Sequence, residues 1–142
     1  MRSNKLSRFN FIRSRYITLV LLLSLVACGD DTPVPPVSPG VKQVQSAITS
    51  GLPTIVEFGA EMCDSCIEMK KILGKVAVST QGRAHVLTID ITKDWKAAQA
   101  YRIQVMPTQV FFSTDGREIG RHMGKLTEAE VLAGLGLGGA AK

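Results

Sequence analysis

Two cysteines spaced Cys63-x-x-Cys66 stand between a short apolar run, Thr54-Ile55-Val56-Glu57-Phe58-Gly59-Ala60, and a segment whose apolar residues Ile67, Met69, Ile72, Leu73 and Val76 recur at helical spacing. The first run reads as a buried strand and the second as an amphipathic helix, so both cysteines fall on a strand-to-helix turn. A helix N-terminus directs unpaired N–H groups and partial positive charge at the first sulfur, which favours its thiolate. Two intervening residues bring the second sulfur round one turn into disulfide reach of the first, so the pair can open and close with little backbone movement. A disulfide closing so small a loop constrains the unfolded chain little. Redox chemistry therefore accounts for the pair better than structural stapling does, with a metal half-site as the other reading.

The remaining periodicities place a helix over Val41–Ser50, strands Thr54–Phe58 and Ala84–Ile89, and strands Thr108–Phe112 and Glu118–Met123 joined as a hairpin. Helices are expected over Ser65–Ser79, Asp94–Tyr101 and Thr127–Leu135. Asp94 and Thr127 are suited to N-caps, and Glu130 completes a capping box with Thr127. Strands alternating with helices and closing in a hairpin imply an α/β fold, a mixed central sheet flanked by helices on both faces.

The chain resembles the thioredoxin superfamily over roughly Val41 to Leu137. The resemblance is carried by Ile55 to Cys66, by Leu87-Thr88-Ile89-Asp90, by Tyr101 to Thr108, and by the hairpin Phe112 to Arg117 followed by Gly124. It departs from the family at Met62, where a Trp is usual, at Asp64-Ser65 in place of Gly-Pro, and at Glu57 in place of a buried Asp. The Lys that partners that acid in the family falls at Val86. The resemblance implies a thioredoxin-like fold, a cis Met106–Pro107 bond facing the cysteines, and a thiol:disulfide oxidoreductase with no cofactor. Catalysis is assigned to Cys63 as attacking thiol, Cys66 as resolving thiol and Glu57 as proton acceptor, its pKa raised by burial in a central strand. Substrate contact is assigned to Met62, Met106, Pro107 and Gly124. Glu61 and Asp64 flank Cys63 with negative charge that opposes the helix dipole, which points to a reductant rather than an oxidant or isomerase. The alternative from another class is a copper- or haem-delivery chaperone using the two sulfurs as ligands. No metal site is read, because His85 and His122 are strand residues remote from any cluster with metal spacing, and Trp95 is expected to pack.

The first quarter of the chain belongs to none of this. Arg2, Lys5, Arg8, Arg13 and Arg15 precede an apolar stretch, Tyr16 to Ala27, too short to span a bilayer and shaped like a signal peptide. Leu25-Val26-Ala27-Cys28 looks like a bacterial lipobox, with Cys28 the lipid-modified residue. The domains are then a signal peptide over 1–27, a lipid-anchored Pro-rich tether over 28–40, the thioredoxin-like domain over 41–137 and a flexible tail over 138–142. Extended as polyproline, the tether would reach about 35–40 Å. Gly29 after Cys28 favours the outer membrane in a Gram-negative cell, on the periplasmic side. Of 17 Lys+Arg, five lie before Cys28, whereas all 12 Asp+Glu lie after it. The mature chain thus carries no net charge, and a nucleic-acid partner is excluded because its footprint needs a basic patch. The expected partners are exported proteins bearing disulfides and an upstream electron donor, either a membrane transporter or a soluble carrier; the chain is read as a monomer.

Overall fold

The computed structural model describes residues 37–138. The expected signal peptide, the lipidated Cys28, most of the tether and residues 139–142 of the tail lie outside the described residues. Eight elements follow one another: α1 (Pro39–Ile48), β1 (Thr54–Gly59), α2 (Asp64–Ser79), β2 (His85–Asp90), α3 (Trp95–Ala100), β3 (Thr108–Phe112), β4 (Glu118–Met123) and α4 (Glu128–Gly134). The sheet runs β2-β1-β3-β4, with β1 parallel to β2 and the other two pairings antiparallel. This is the α/β fold expected.

The period-two alternation of the central strands sorts their side chains between two cores. Ile55 and Phe111 pack with Met69, Leu73 and Val76 of α2 and Val131 of α4. Val56, Phe58, Val110 and Phe112 point the other way, onto Val44 of α1 and Ala97 of α3. Tyr101 closes the second core, its ring 5.2 Å from that of Phe58. Both central strands are buried throughout, as suits strands covered on two faces. The edge strand β4 is exposed at every position, and its Glu118, Arg121 and His122 discourage pairing with another chain.

Capping sets the helix limits, and here the sequence expectations need correction. The first helix starts at Pro39 rather than Val41, taking two residues from the segment read as tether. Ser38 caps it, accepting the Val41 N–H at 3.4 Å, and Pro39 suits a first turn because its missing N–H would be unpaired there anyway. In α2 the cap is Cys63 itself, so Asp64 is the first helical residue. In α3 the cap is Asp94, which accepts the Ala97 N–H at 3.1 Å and, from its other oxygen, the Gly40 N–H of α1 at 2.7 Å. One carboxylate therefore closes two helix starts that are distant in sequence, each such cap stabilising by about 0.5–2 kcal/mol. Gly40 is required at this contact, since a Cβ there would lie 2.7 Å from Asp94 Oδ2. Trp95, expected to pack, is 57% exposed; the contact of this short helix with the core is made by the small Ala97. Thr127 and Glu130 form the expected capping box on α4.

Candidate active site

The register of the strands assembles one end of the sheet into a site. Thr108 lies opposite Phe58 in β1 and opposite Met123 in β4. Pro107 is therefore level with Gly59 on one side and Gly124 on the other, at the end of the sheet from which the β1–α2 turn departs. The Met106–Pro107 bond is cis. Gly124 has φ +101°, a left-handed conformation that glycine adopts without steric cost, and its N–H donates to the Pro107 carbonyl at 2.8 Å. Pro107 is buried and Met106 partly exposed, whereas Met62 is 98% exposed beside Cys63. Three of the residues assigned to substrate contact thus share one rim, and Met62 stands on the cysteine turn.

Cys63 and Cys66 form a disulfide with Cα atoms 5.2 Å apart. The two sulfurs differ in exposure. Cys63 has extended backbone geometry and is half-buried, while Cys66, inside the first turn of α2, is 3% exposed. Cys63 Sγ accepts the Cys66 backbone N–H at 3.3 Å and lies 3.2 Å from the Ser65 hydroxyl. These are the donors that would hold a thiolate once the bond opens. Of the two acids expected to oppose it, Glu61 is occupied by Lys93, 2.7 Å away. Asp64 alone keeps an unpaired negative charge beside Cys63 Sγ among the described residues.

Glu57 lies behind the disulfide, on the α2 side of the sheet. It is 2% exposed. A Cβ at Gly59 would meet Glu57 Oε1 at 3.1 Å, Cys66 Cβ at 3.2 Å and Cys66 Sγ at 3.3 Å. The Glu57 carboxyl and Cys66 Sγ therefore converge on the space that a glycine leaves open. A cleft of about 440 Å³, lined by Glu57, Gly59, Cys66 and Lys70 among others, connects this space to solvent. Burial pushes the Glu57 carboxyl up to about 7, against the opposing pull of the Lys70 ammonium. The family's lysine position is Val86, which packs into the apolar core beside Ile55. The cation that acts on Glu57 comes instead from α2, four residues after Cys66.

Sequence reasoning missed Lys70, Lys93 and the spacer role of Gly59. The spacing Cys66 to Lys70 marks one helix face, but only the fold turns that face to Glu57. Among the described residues no group of three or more His, Cys, Asp and Glu side chains could hold a metal ion.

Residues 41–135 match the protein family described as Thioredoxin. Thioredoxin Y1, chloroplastic, of Arabidopsis thaliana is 31% identical over 85 residues, which are 60% of this chain and 49% of that protein. The chain thus spans about half the length of this plant relative. A thioredoxin of Staphylococcus aureus is 30% identical over 90 residues, 61% of this chain and 85% of that one. Among solved structures, chloroplastic thioredoxin z superposes with a TM-score of 0.61 at 30% identity, over 67% of this chain and 86% of that one. Fasciola hepatica thioredoxin, at 24% identity and a TM-score of 0.58, shares the fold.

Proposed function

We propose, for a chain that belongs to the thioredoxin family and is by that membership a thiol:disulfide oxidoreductase, a reductive role outside the cytoplasm, exercised on exported proteins from a lipid anchor at Cys28. The observation that carries the chemistry is the convergence of Glu57 Oε1 and Cys66 Sγ beside Gly59, with Cys63 outermost. The Cys63 thiolate attacks a substrate disulfide, forming a mixed disulfide and expelling the substrate's other sulfur as a thiolate. Glu57 takes the Cys66 proton. The resulting thiolate attacks Cys63 Sγ, releases the second substrate thiolate, and closes the Cys63–Cys66 bond. Two electrons pass to the substrate, and a membrane transporter or soluble carrier must return them. Pro107, Met106, Met62 and Gly124 form the rim on which the substrate chain rests.

Asp64 supports the reductive direction, because a negative neighbour disfavours the Cys63 thiolate and so stabilises the disulfide relative to the dithiol. The test is the reduction potential of the pair, measured in a thiol–disulfide buffer alongside reduction of a protein disulfide. A value near about −270 mV with efficient reduction is the expected result; one near about −120 mV would make the protein an oxidant or isomerase.

The anchor has its own test. Lipidation at Cys28 holds the domain to a membrane through more than one acyl chain, firmly where a single chain would hold weakly. Cys28→Ser should move the protein from the membrane to the soluble fraction with the potential of the Cys63–Cys66 pair unchanged. Membrane retention of that variant would remove the anchor from the proposal.

A further inference from the structure

Gln109 is a glutamine at the centre of the sheet with no packing reason to be one. It is 0% exposed, on the face where its strand neighbour Phe111 joins Ile55, Met69 and Leu73 in the core. Burying an amide without hydrogen bonds destabilises a fold, so a leucine or methionine would serve packing better. Both its amide atoms are buried without a partner among the described residues, and so is Glu57 Oε1. The two residues are register partners, directly opposite one another on β1 and β3. Opposed residues of an antiparallel pair share a face, with Cβ atoms about 4.5–5.5 Å apart. The three orphaned polar atoms thus belong to two opposed residues on one face of the sheet; they are not bonded to each other in this structure, and a turn of the Gln109 side chain would pair them.

We propose that Gln109 is a positioning residue that sets the proton affinity of Glu57 by offering its amide to that carboxyl in both protonation states. A primary amide carries donor and acceptor at the same end of one side chain. Its terminal torsion is broad and roughly two-fold, so the NH2 can face a carboxylate and the carbonyl can face a carboxylic acid. The bond to the charged form is the stronger, because it is charge-assisted. Gln109 therefore makes Glu57 a weaker holder of its proton than burial alone would, and keeps a larger fraction of it ionised near neutral pH. The other ionisable groups around Glu57 are Cys66 and Lys70 from α2, and Glu61 and Asp90 on the rim of the cleft. From β4 comes His122, next to Gln109 in the same row, its Nε2 within 3.2 Å of the Lys125 carbonyl. Gln109 carries no charge at any pH, so its influence is a hydrogen bond and not a charge.

The inference extends the reading of Glu57 as proton acceptor, and its test does not depend on turnover. Carboxyl-carbon NMR of the oxidised full-length protein should show the Glu57 midpoint about one to two pH units higher in Gln109→Met than in the unaltered chain. In the unaltered protein, which needs no substitution to fold, the side-chain NH2 protons of Gln109 should titrate with the midpoint of Glu57. A Glu57 midpoint unmoved in Gln109→Met, or Gln109 amide signals flat across that range, overturns the proposal. A merely structural glutamine would change stability and leave the midpoint alone. The pH profile for resolution of the mixed disulfide should move up with the midpoint. If the midpoint moves and the profile does not, Gln109 keeps its role and Glu57 loses its place in catalysis.

Discussion

Cys63→Ser is expected to lower disulfide reduction by at least about a thousandfold, because serine at neutral pH offers no comparable nucleophile and the remaining thiol, Cys66, is buried away from substrate. The fold should be unaffected, since the substitution exchanges one small side chain for another at a half-buried cap and serine is a good N-cap. Cys66→Ala should behave differently. Its Cys63 still attacks, but nothing resolves the product, so the protein should accumulate as covalent adducts with substrate that dithiothreitol releases. Trapping followed by non-reducing electrophoresis separates the two roles. Equal adduct formation by Cys63→Ser and Cys66→Ala would refute the assignment of attacker and resolver, which rests on the difference in exposure between the two sulfurs.

Glu57→Gln should make the protein more stable and a poorer catalyst. Burial raises the folded-state pKa of Glu57 from an ordinary 4.5 to about 7. At pH 4 folded and unfolded chains both hold the proton, and the carboxyl costs nothing by this route. As pH rises from 4.5 the unfolded chain ionises first, so the native state loses stability steadily until the folded carboxyl also ionises near pH 7. The full loss, on the order of 3 kcal/mol, is then present at pH 8 and above. Denaturant unfolding of Glu57→Gln should therefore match the parent near pH 4 and exceed it by about that amount at pH 8.5. Resolution of the mixed disulfide at pH 7 should meanwhile slow by about a hundredfold or more, the scale of a lost proton acceptor. Equal stability of parent and variant at pH 8.5 would show that Glu57 carries no burial penalty. An unchanged rate would remove it from the reaction.

The residues that shape this behaviour differ in how far the sequence announces them. Cys63-x-x-Cys66 on a strand-to-helix turn is a local pattern, and periodicity alone located the elements around it. The carboxylate of Glu57 is an anomaly within an apolar run, visible without any structure. Gln109 is the same kind of anomaly, but a single polar residue after Pro107-Thr108 points to no partner until β3 is laid antiparallel on β1 with Glu57 opposite. Lys70 looks like any solvated helix lysine until α2 settles on the sheet. The helix starts were misplaced where the capping group came from outside the helix or was itself the functional residue, as with Asp94 reaching Gly40 and Cys63 capping α2.

By itself, then, the sequence determined the alternation of strands and helices, the redox pair, the capping box on α4 and the membership that follows from them. These depend on side chains within a few residues of one another, where spacing is geometry. Only the tertiary structure decided that Asp94 ties α1 to α3, that Lys93 neutralises Glu61, that Gly59 leaves room for Glu57 beside Cys66, and that Gln109 faces Glu57 across the sheet. Each of these joins residues from different elements. Strand register, which no local pattern encodes, selects which of the many polar side chains in the chain become neighbours, and burial then makes those few contacts matter.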